Sequence, residues 1–417
     1  MKDVYGIRTQ TFDLMRRAEE DLSASFRRFE AQAENNQAKV LAAFHAEGIS
    51  ERHLLGTTGY GYDDAGRDAL DRIYASVFGA ECALVRQQIV SGTHALAACL
   101  FGVLRPGDTL LFATDTPYDT LEEAVGLRGN QGDGSLAEWG VKSRVVPLLP
   151  DGSPDYAALD AALDNTVKMV AIQRSKGYAW RKSLSVSEIG DLISHIKAKK
   201  PDVICMVDNC YGEFVEDREP TAVGADLMAG SLIKNPGGGL APTGGYIAGR
   251  KDLVEKVAAR LTAPGIGSEV GASLNVNRLF FQGLFLAPHT VSQSLKAAAL
   301  AARMLELSGF DVSPASDAER TDIIQAARLG DAEKVCAFCR GIQKGSPIDS
   351  QVRPEPWDMP GYESPVIMAA GTFVSGASIE ISADAPIRKP YAVYLQGGLT
   401  YESAKVSLLC AMDAILS

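Results

Sequence analysis

The 417-residue chain is 46% apolar and 22% charged, the make-up of a water-soluble globular protein with material for two or three domains. Its 52 acidic against 41 basic residues leave a net charge of -11, which argues against nucleic acid as the partner. No basic start followed by an apolar run marks a secretion signal, and the alanine-rich stretch 294 to 307 is broken by Lys296 and Arg303, so no membrane span is expected and the cytoplasm is the expected compartment.

Residues 1–50 read as a helical arm, with apolar and charged residues at helical spacing from 11 to 43 and a stop near Gly48. From 51 to 290 the pattern changes. Strand-like runs at 82–88, 109–113, 143–148, 168–173, 203–208, 226–233 and 245–249 alternate with helical segments, which predicts a mostly parallel sheet covered on both faces. Ligands of such sheets gather beyond the carboxyl ends of the strands, so the residues that follow each run are the ones to weigh.

Ser91, Gly92 and Thr93 follow the first run and open a helix. Free amides and hydroxyls there suit a phosphate, although an ordinary helix cap has the same composition. Tyr118 follows the second run, where its ring can stack on a flat cofactor or stand half-buried with its hydroxyl satisfied. Arg174 follows the fourth and offers a fork for a carboxylate. Asp208 ends the fifth. Lys234 follows the sixth, in Ser231-Leu-Ile-Lys-Asn-Pro-Gly-Gly-Gly239, where an amine is presented that can form a Schiff base. An amine to hold an aldehyde and a carboxylate to keep a pyridine nitrogen protonated are the pair that pyridoxal 5'-phosphate needs.

A long helix, 275 to 307, leads into a smaller C-terminal unit, 291–417, with strands expected near 333–343, 365–370 and 378–383 and a closing helix from 400 to 416. The seven cysteines form no framework. In a strand, Cys336 and Cys339 point to opposite faces, which favours reduced structural thiols over a metal site. The proline-rich stretch 352–361 reads as an extended loop at the mouth of the site or on the plain surface.

Taken in order, Gly59-Tyr-Gly-Tyr-Asp-Asp-Ala-Gly-Arg67, Ser91-Gly-Thr-His94, Pro117-Tyr-Asp-Thr120, Val207-Asp-Asn-Cys-Tyr-Gly-Glu-Phe214, Ser231 to Gly239, Gln282-Gly-Leu-Phe-Leu-Ala-Pro-His289 and Tyr394-Leu-Gln-Gly-Gly-Leu399 resemble the bacterial methionine gamma-lyase-like family often labelled aluminium-resistance protein. That family is similar to the cystathionine gamma-synthase and lyase branch of fold-type I pyridoxal-phosphate enzymes, an α/β fold with a mostly parallel sheet in a large domain and a smaller α+β C-terminal domain. The resemblance implies that Lys234 carries the cofactor, Asp208 faces its ring nitrogen, Tyr118 stacks on the ring, and Ser91, Gly92, Thr93 and Ser231 hold the phosphate; it also adds Arg388 of the small domain to Arg174 as the arginine for a substrate carboxylate. It further implies a homodimer or homotetramer with sites at the dimer interface, where Tyr60 or Tyr62 with Arg67 reach the neighbour's phosphate, although the usual Tyr-x-Arg spacing of the group is absent. The expected reaction is elimination or replacement on a sulfur-containing or otherwise β- or γ-substituted amino acid. Transamination, aldol-type cleavage and a non-catalytic regulator on the same fold are the alternatives.

Overall fold

In the computed structural model, which describes every residue except 360, 361 and 363, two sheets are joined by one long helix. The larger sheet has the strands β1 (Cys82–Arg86), β2 (Thr109–Phe112), β3 (Lys142–Val145), β4 (Val167–Gln173), β5 (Ile204–Asp208), β6 (Leu227–Ser231) and β7 (Gly245–Gly249), in the order β1-β7-β6-β5-β4-β2-β3. The pairs from β6 through β3 are parallel, while β7 runs antiparallel to both β6 and β1.

Alternation along the strands explains how both faces are covered. Leu84, Leu110, Met206 and Leu227 pack under the helices Gly92–Val103 and Lys251–Leu261. Their neighbours Val85, Leu111, Val207 and Met228 face the helices Ala65–Phe78, Val186–Lys199 and Asn277–Leu307. Each large side chain fully withdrawn from water contributes about 1.5–3 kcal/mol, so a strand buried on both faces draws stability from every residue. A central strand of this kind reads as a continuous apolar run, which is why the large sheet was visible in the sequence.

The smaller sheet joins β8 (Asp311–Ser313), β9 (Gln325–Arg328), β10 (Val366–Ala369), β11 (Ser382–Pro386) and β12 (Ala392–Gln396) in the antiparallel order β10-β11-β12-β9-β8. The expected strand at 333–343 is instead part of a helix, Ala332–Gly345. Its buried Val335, Phe338, Cys339 and Ile342 recur at helical spacing and lie on the closing helix, Tyr401–Ile415. A Cβ on Gly341 would stand 2.3 Å from the Ala411 Cα, so glycine there sets how closely the two helices approach. Three apart on a helix, Cys336 and Cys339 therefore do not point to opposite faces. Both thiols are free, and among the described residues no cluster of three or more His, Cys, Asp or Glu could hold a metal.

The N-terminal arm is a short helix, Lys2–Tyr5, and two longer ones, Thr9–Asp21 and Ser23–Ala46, which are interrupted at Leu22. It lies on its own chain: Asn36 donates to the Phe214 carbonyl at 2.9 Å, and Arg303 holds Asp21 at 2.7 Å. The expected division near residue 290 falls inside the unbroken helix Asn277–Leu307. The expected loop 352–361 makes one bridge, Trp357 to Val366, and its last two residues lie outside the described ones. Among the described residues no helix is long and apolar enough to cross a membrane.

Candidate active site

The ends of β4, β5 and β6 deliver Gln173, Asp208 and Ser231 to one edge of the large sheet, Gln173 paired with Asp208 and Ser231 two residues beyond Ala229, the partner of Asp208. There they meet the start of the helix Gly92–Val103, whose N-cap Ser91 accepts the His94 amide at 3.0 Å. The cleft between them encloses about 210 Å³ and is lined by Ser91, Gly92, Thr93, Tyr118, Asp208, Ser231 and Lys234 among others. Seven of the residues singled out in the sequence thus share one small-molecule-sized space.

Gly92 keeps this space open. A Cβ at that position would come within 3.2 Å of the Cys210 Sγ and 3.4 Å of the Ser231 Cβ. The first amides of the helix have no partner within it and are directed toward the cleft, as helix geometry requires. Thr93 and Thr120 share a hydrogen bond at 2.7 Å beside them.

Lys234 lies just past β6, with its Nζ 3.9 Å from the centre of the Tyr211 ring. Loss of water opposes its charge, but Cys210, Tyr211 and Asp208 outweigh that, so its pKa stands above the ordinary lysine value. Loss of water pushes the Asp208 carboxyl up, against the pull of Lys234 and of the Cys210 amide, which donates to it at 3.1 Å. Tyr118 is oriented by its backbone, whose amide donates to Gln173 at 2.8 Å, and by its hydroxyl, 2.6 Å from that of Tyr362. Loss of water holds its phenol well above the usual range, so at neutral pH it keeps its proton.

Other residues fall elsewhere. Arg174 follows Gln173 directly, and because side chains alternate along an extended chain it points away from the cleft. It is fully buried, with its guanidinium on Asn209 at 2.8 Å, Glu216 at 2.5 Å and Glu219 at 3.4 Å. Pulling it from that network would strand a buried carboxylate at about 3–5 kcal/mol, so Arg174 has no freedom to bind a substrate. Arg388 is exposed in the turn between β11 and β12. Tyr60 and Tyr62 are 75% and 60% exposed, their rings 5.8 Å apart, and neither lines the cleft of its own chain. Arg67, in contrast, is buried and anchors their loop through the carbonyls of Gly61 at 2.6 Å and Gly271 at 3.3 Å. Its guanidinium also pairs with the Asp68 carboxylate at 2.8 Å.

The cleft also holds residues that sequence reasoning passed over. Tyr211, beside Lys234, stood in the quoted segment Val207 to Phe214, but nothing in a lone tyrosine flagged it. Gln173 and Ser175 complete the edge formed by β4.

A family model described as methionine gamma-lyase matches residues 11–416. The chain belongs to the methionine gamma-lyase family. Its fold is that of the fold-type I pyridoxal-phosphate enzymes. Within that family it is 54% identical over 398 residues to the uncharacterized protein YnbB of Bacillus subtilis, covering 95% of this chain and 94% of the other. A carbon-sulfur lyase involved in aluminum resistance from Clostridium novyi superposes with a TM-score of 0.95 at 50% identity, over 99% of this chain and 97% of that one. The fold alone extends to the pyridoxal-5'-phosphate dependent protein YhfS of Escherichia coli, at a TM-score of 0.60 and 16% identity over 90% of this chain and 94% of that one.

Proposed function

We propose that this member of the methionine gamma-lyase family is a pyridoxal-phosphate-dependent lyase of the cytoplasm that releases a thiol from a sulfur-bearing amino acid. The observation that carries the reading is the meeting of Asp208 and Lys234 in one cleft, beside a helix start with free amides. The donor set fits the cofactor. Gly92 leaves a cradle that a side chain would fill, the Ser91 hydroxyl keeps its own hydrogen for a phosphate after accepting from His94, and Ser231 adds a second hydroxyl.

When bound, pyridoxal phosphate supplies an electron sink for charge that develops on the substrate. The chain's own residues do the rest. Ser91, Gly92, Thr93 and Ser231 hold the phosphate by hydroxyl and amide donors. Asp208 keeps a proton on the ring nitrogen, because a carboxylate beside it favours the charged form. Lys234 holds the cofactor and its amine takes the α-proton. The Tyr118 hydroxyl gives a proton to the departing sulfur, a step that elimination requires and amino transfer does not. Thioether amino acids should therefore yield a thiol, ammonia and a keto acid with no keto-acid acceptor added. Product analysis that found amino transfer to an added keto acid, and no thiol from any thioether, would overturn the reading.

Assembly is part of the proposal. Two large exposed aromatic rings on a loop held by a buried arginine are suited to contact a second copy, and we assign Tyr60 and Tyr62, with Arg67 behind them, to the neighbour's site in a homodimer or homotetramer. Mixing Lys234→Ala protein with a Tyr60→Ala/Tyr62→Ala protein should then restore part of the activity, since one site of each mixed dimer escapes both defects. Mixed dimers that stay inactive would remove the two tyrosines from that role.

A further inference from the structure

The inner face of the small sheet carries a carboxyl that the reaction as described does not use. Along β11 and β12, Ala383, Ala385, Val393 and Leu395 enter the core with the helices behind the sheet. Alternation turns Ser382, Asp384, Tyr394 and Gln396 the other way. On that side Tyr394 packs with Tyr178 and Tyr211, the latter beside Lys234, and its hydroxyl donates to the Tyr178 carbonyl at 2.6 Å. Asp384 therefore stands in the seam between the small sheet and the cleft, only 7% exposed.

The carboxyl is half-satisfied. Gln396 donates to its Oδ2 at 2.9 Å, while its Oδ1 is buried and makes no hydrogen bond. From there to the cleft runs a row of phenols. The Tyr178 side chain lies between Asp384 and Tyr362 and draws the pKa of both down against the loss of water. The rings of Tyr178 and Tyr362 are 5.7 Å apart, and the Tyr362 hydroxyl stands 2.6 Å from that of Tyr118. We propose that Asp384 is the acid that recharges Tyr118, through Tyr178 and Tyr362, as the leaving sulfur is protonated. The inference rests on the proposed role of Tyr118 and deepens it.

The proton count closes. The Tyr118 O–H bond breaks as an S–H bond forms on the departing thiolate; Tyr118 takes the Tyr362 proton, Tyr362 takes that of Tyr178, and Tyr178 takes that of the Asp384 carboxyl. Asp384 is left as carboxylate and is reprotonated from solvent. Energetics require such a source. A phenol held well above its usual pKa is a weaker acid than an alkyl thiol, whose own pKa is about 8.5–10, so Tyr118 alone would donate uphill. Loss of water pushes the Asp384 carboxyl up to about 7, against the pull of Gln396, Tyr178 and Lys234, so about half of it carries a proton at neutral pH while it stays a stronger acid than the thiol. The groups facing it are Tyr118, Tyr178, Tyr211, Tyr362 and Lys234 on the cleft side, with Cys339 on the helix behind; Lys234 is the cation among them.

The test compares leaving groups on the holoenzyme. Asp384→Asn keeps shape and an acceptor for Gln396, and Tyr178→Phe breaks the row while leaving the carboxyl. Each should slow release of an alkyl thiol about 10²-fold, the usual contribution of a general acid. Release of chloride from β-chloroalanine, which needs no proton, should change less than about threefold on the same grounds. In the wild-type protein the alkyl-thiol rate should fall as pH rises through the Asp384 pKa, and that fall should be absent from Asp384→Asn. Equal slowing with both leaving groups, or none with either, would overturn the relay. Absence of thiol release by the wild-type protein would instead sink the proposed function itself.

Discussion

Lys234→Ala should lower turnover about 10³-fold or more, the combined loss of a covalent anchor and a general base, which corresponds to about 4 kcal/mol of barrier. The expectation comes from position. Lys234 is the lysine that lines the cleft, held against Tyr211 and within the influence of Asp208. Borohydride reduction of the wild-type holoenzyme should fix the cofactor on this side chain, and peptide mapping should find it there. Cofactor trapped on any other lysine would refute the assignment. The substitution should not unfold the protein, because the bonds that shape the turn after β6 are made by the backbone and by Asn235, whose amide donates to the Tyr211 and Glu213 carbonyls at 3.0 Å each. Thermal unfolding of the variant should therefore stay near that of cofactor-free wild-type protein.

How much of this was legible depended on how locally each signal is written. The strands of the large sheet were read to within three residues at each end, because a parallel strand buried on both faces leaves a short apolar run such as Ile204–Asp208. The position of its cleft followed from the rule that ligands sit beyond strand ends. Arg174 failed within the same rule: one step past Gln173, the alternation of side chains sends it to the opposite side of the sheet, where Glu219 waits far along the chain.

The small sheet was harder. Strands such as Asp311–Ser313 and Gln325–Arg328 are too short and too mixed to show a period of two, and β12 went unread. The segment 333–343, expected as a strand, is part of the helix Ala332–Gly345, and the spacing of Val335, Phe338, Cys339 and Ile342 is the helical signal it carries. Asp384 could not be found by any local pattern. Its importance comes from which face of β11 it occupies and from tyrosines that reach it from distant segments, and neither exists before the two sheets meet.

Asp208→Asn should retain the cofactor and lose about 10²-fold or more in turnover, the size expected when one fixed electrostatic partner of the reacting centre is removed. The amide is nearly isosteric, and its oxygen can still accept the Cys210 N–H that now reaches Asp208 at 3.1 Å, so the end of β5 should keep its shape. What disappears is the negative charge. Without it a pyridine nitrogen gives up its proton near neutral pH, and the ring draws electrons less strongly. A second readout separates this from general damage. In the cofactor-free protein Asp208 helps hold the Lys234 pKa up against the loss of water; with the carboxylate gone, burial is less opposed and that pKa must fall. More of the amine is then neutral at a given pH. Since the neutral amine is the form that attacks an aldehyde, cofactor uptake by Asp208→Asn should reach half its maximal rate at lower pH than in the wild type, even as turnover collapses. A variant that turns over at close to the wild-type rate would deny Asp208 its part, and a midpoint for uptake that stays put or moves to higher pH would show that Asp208 and Lys234 do not act on one another as their geometry requires.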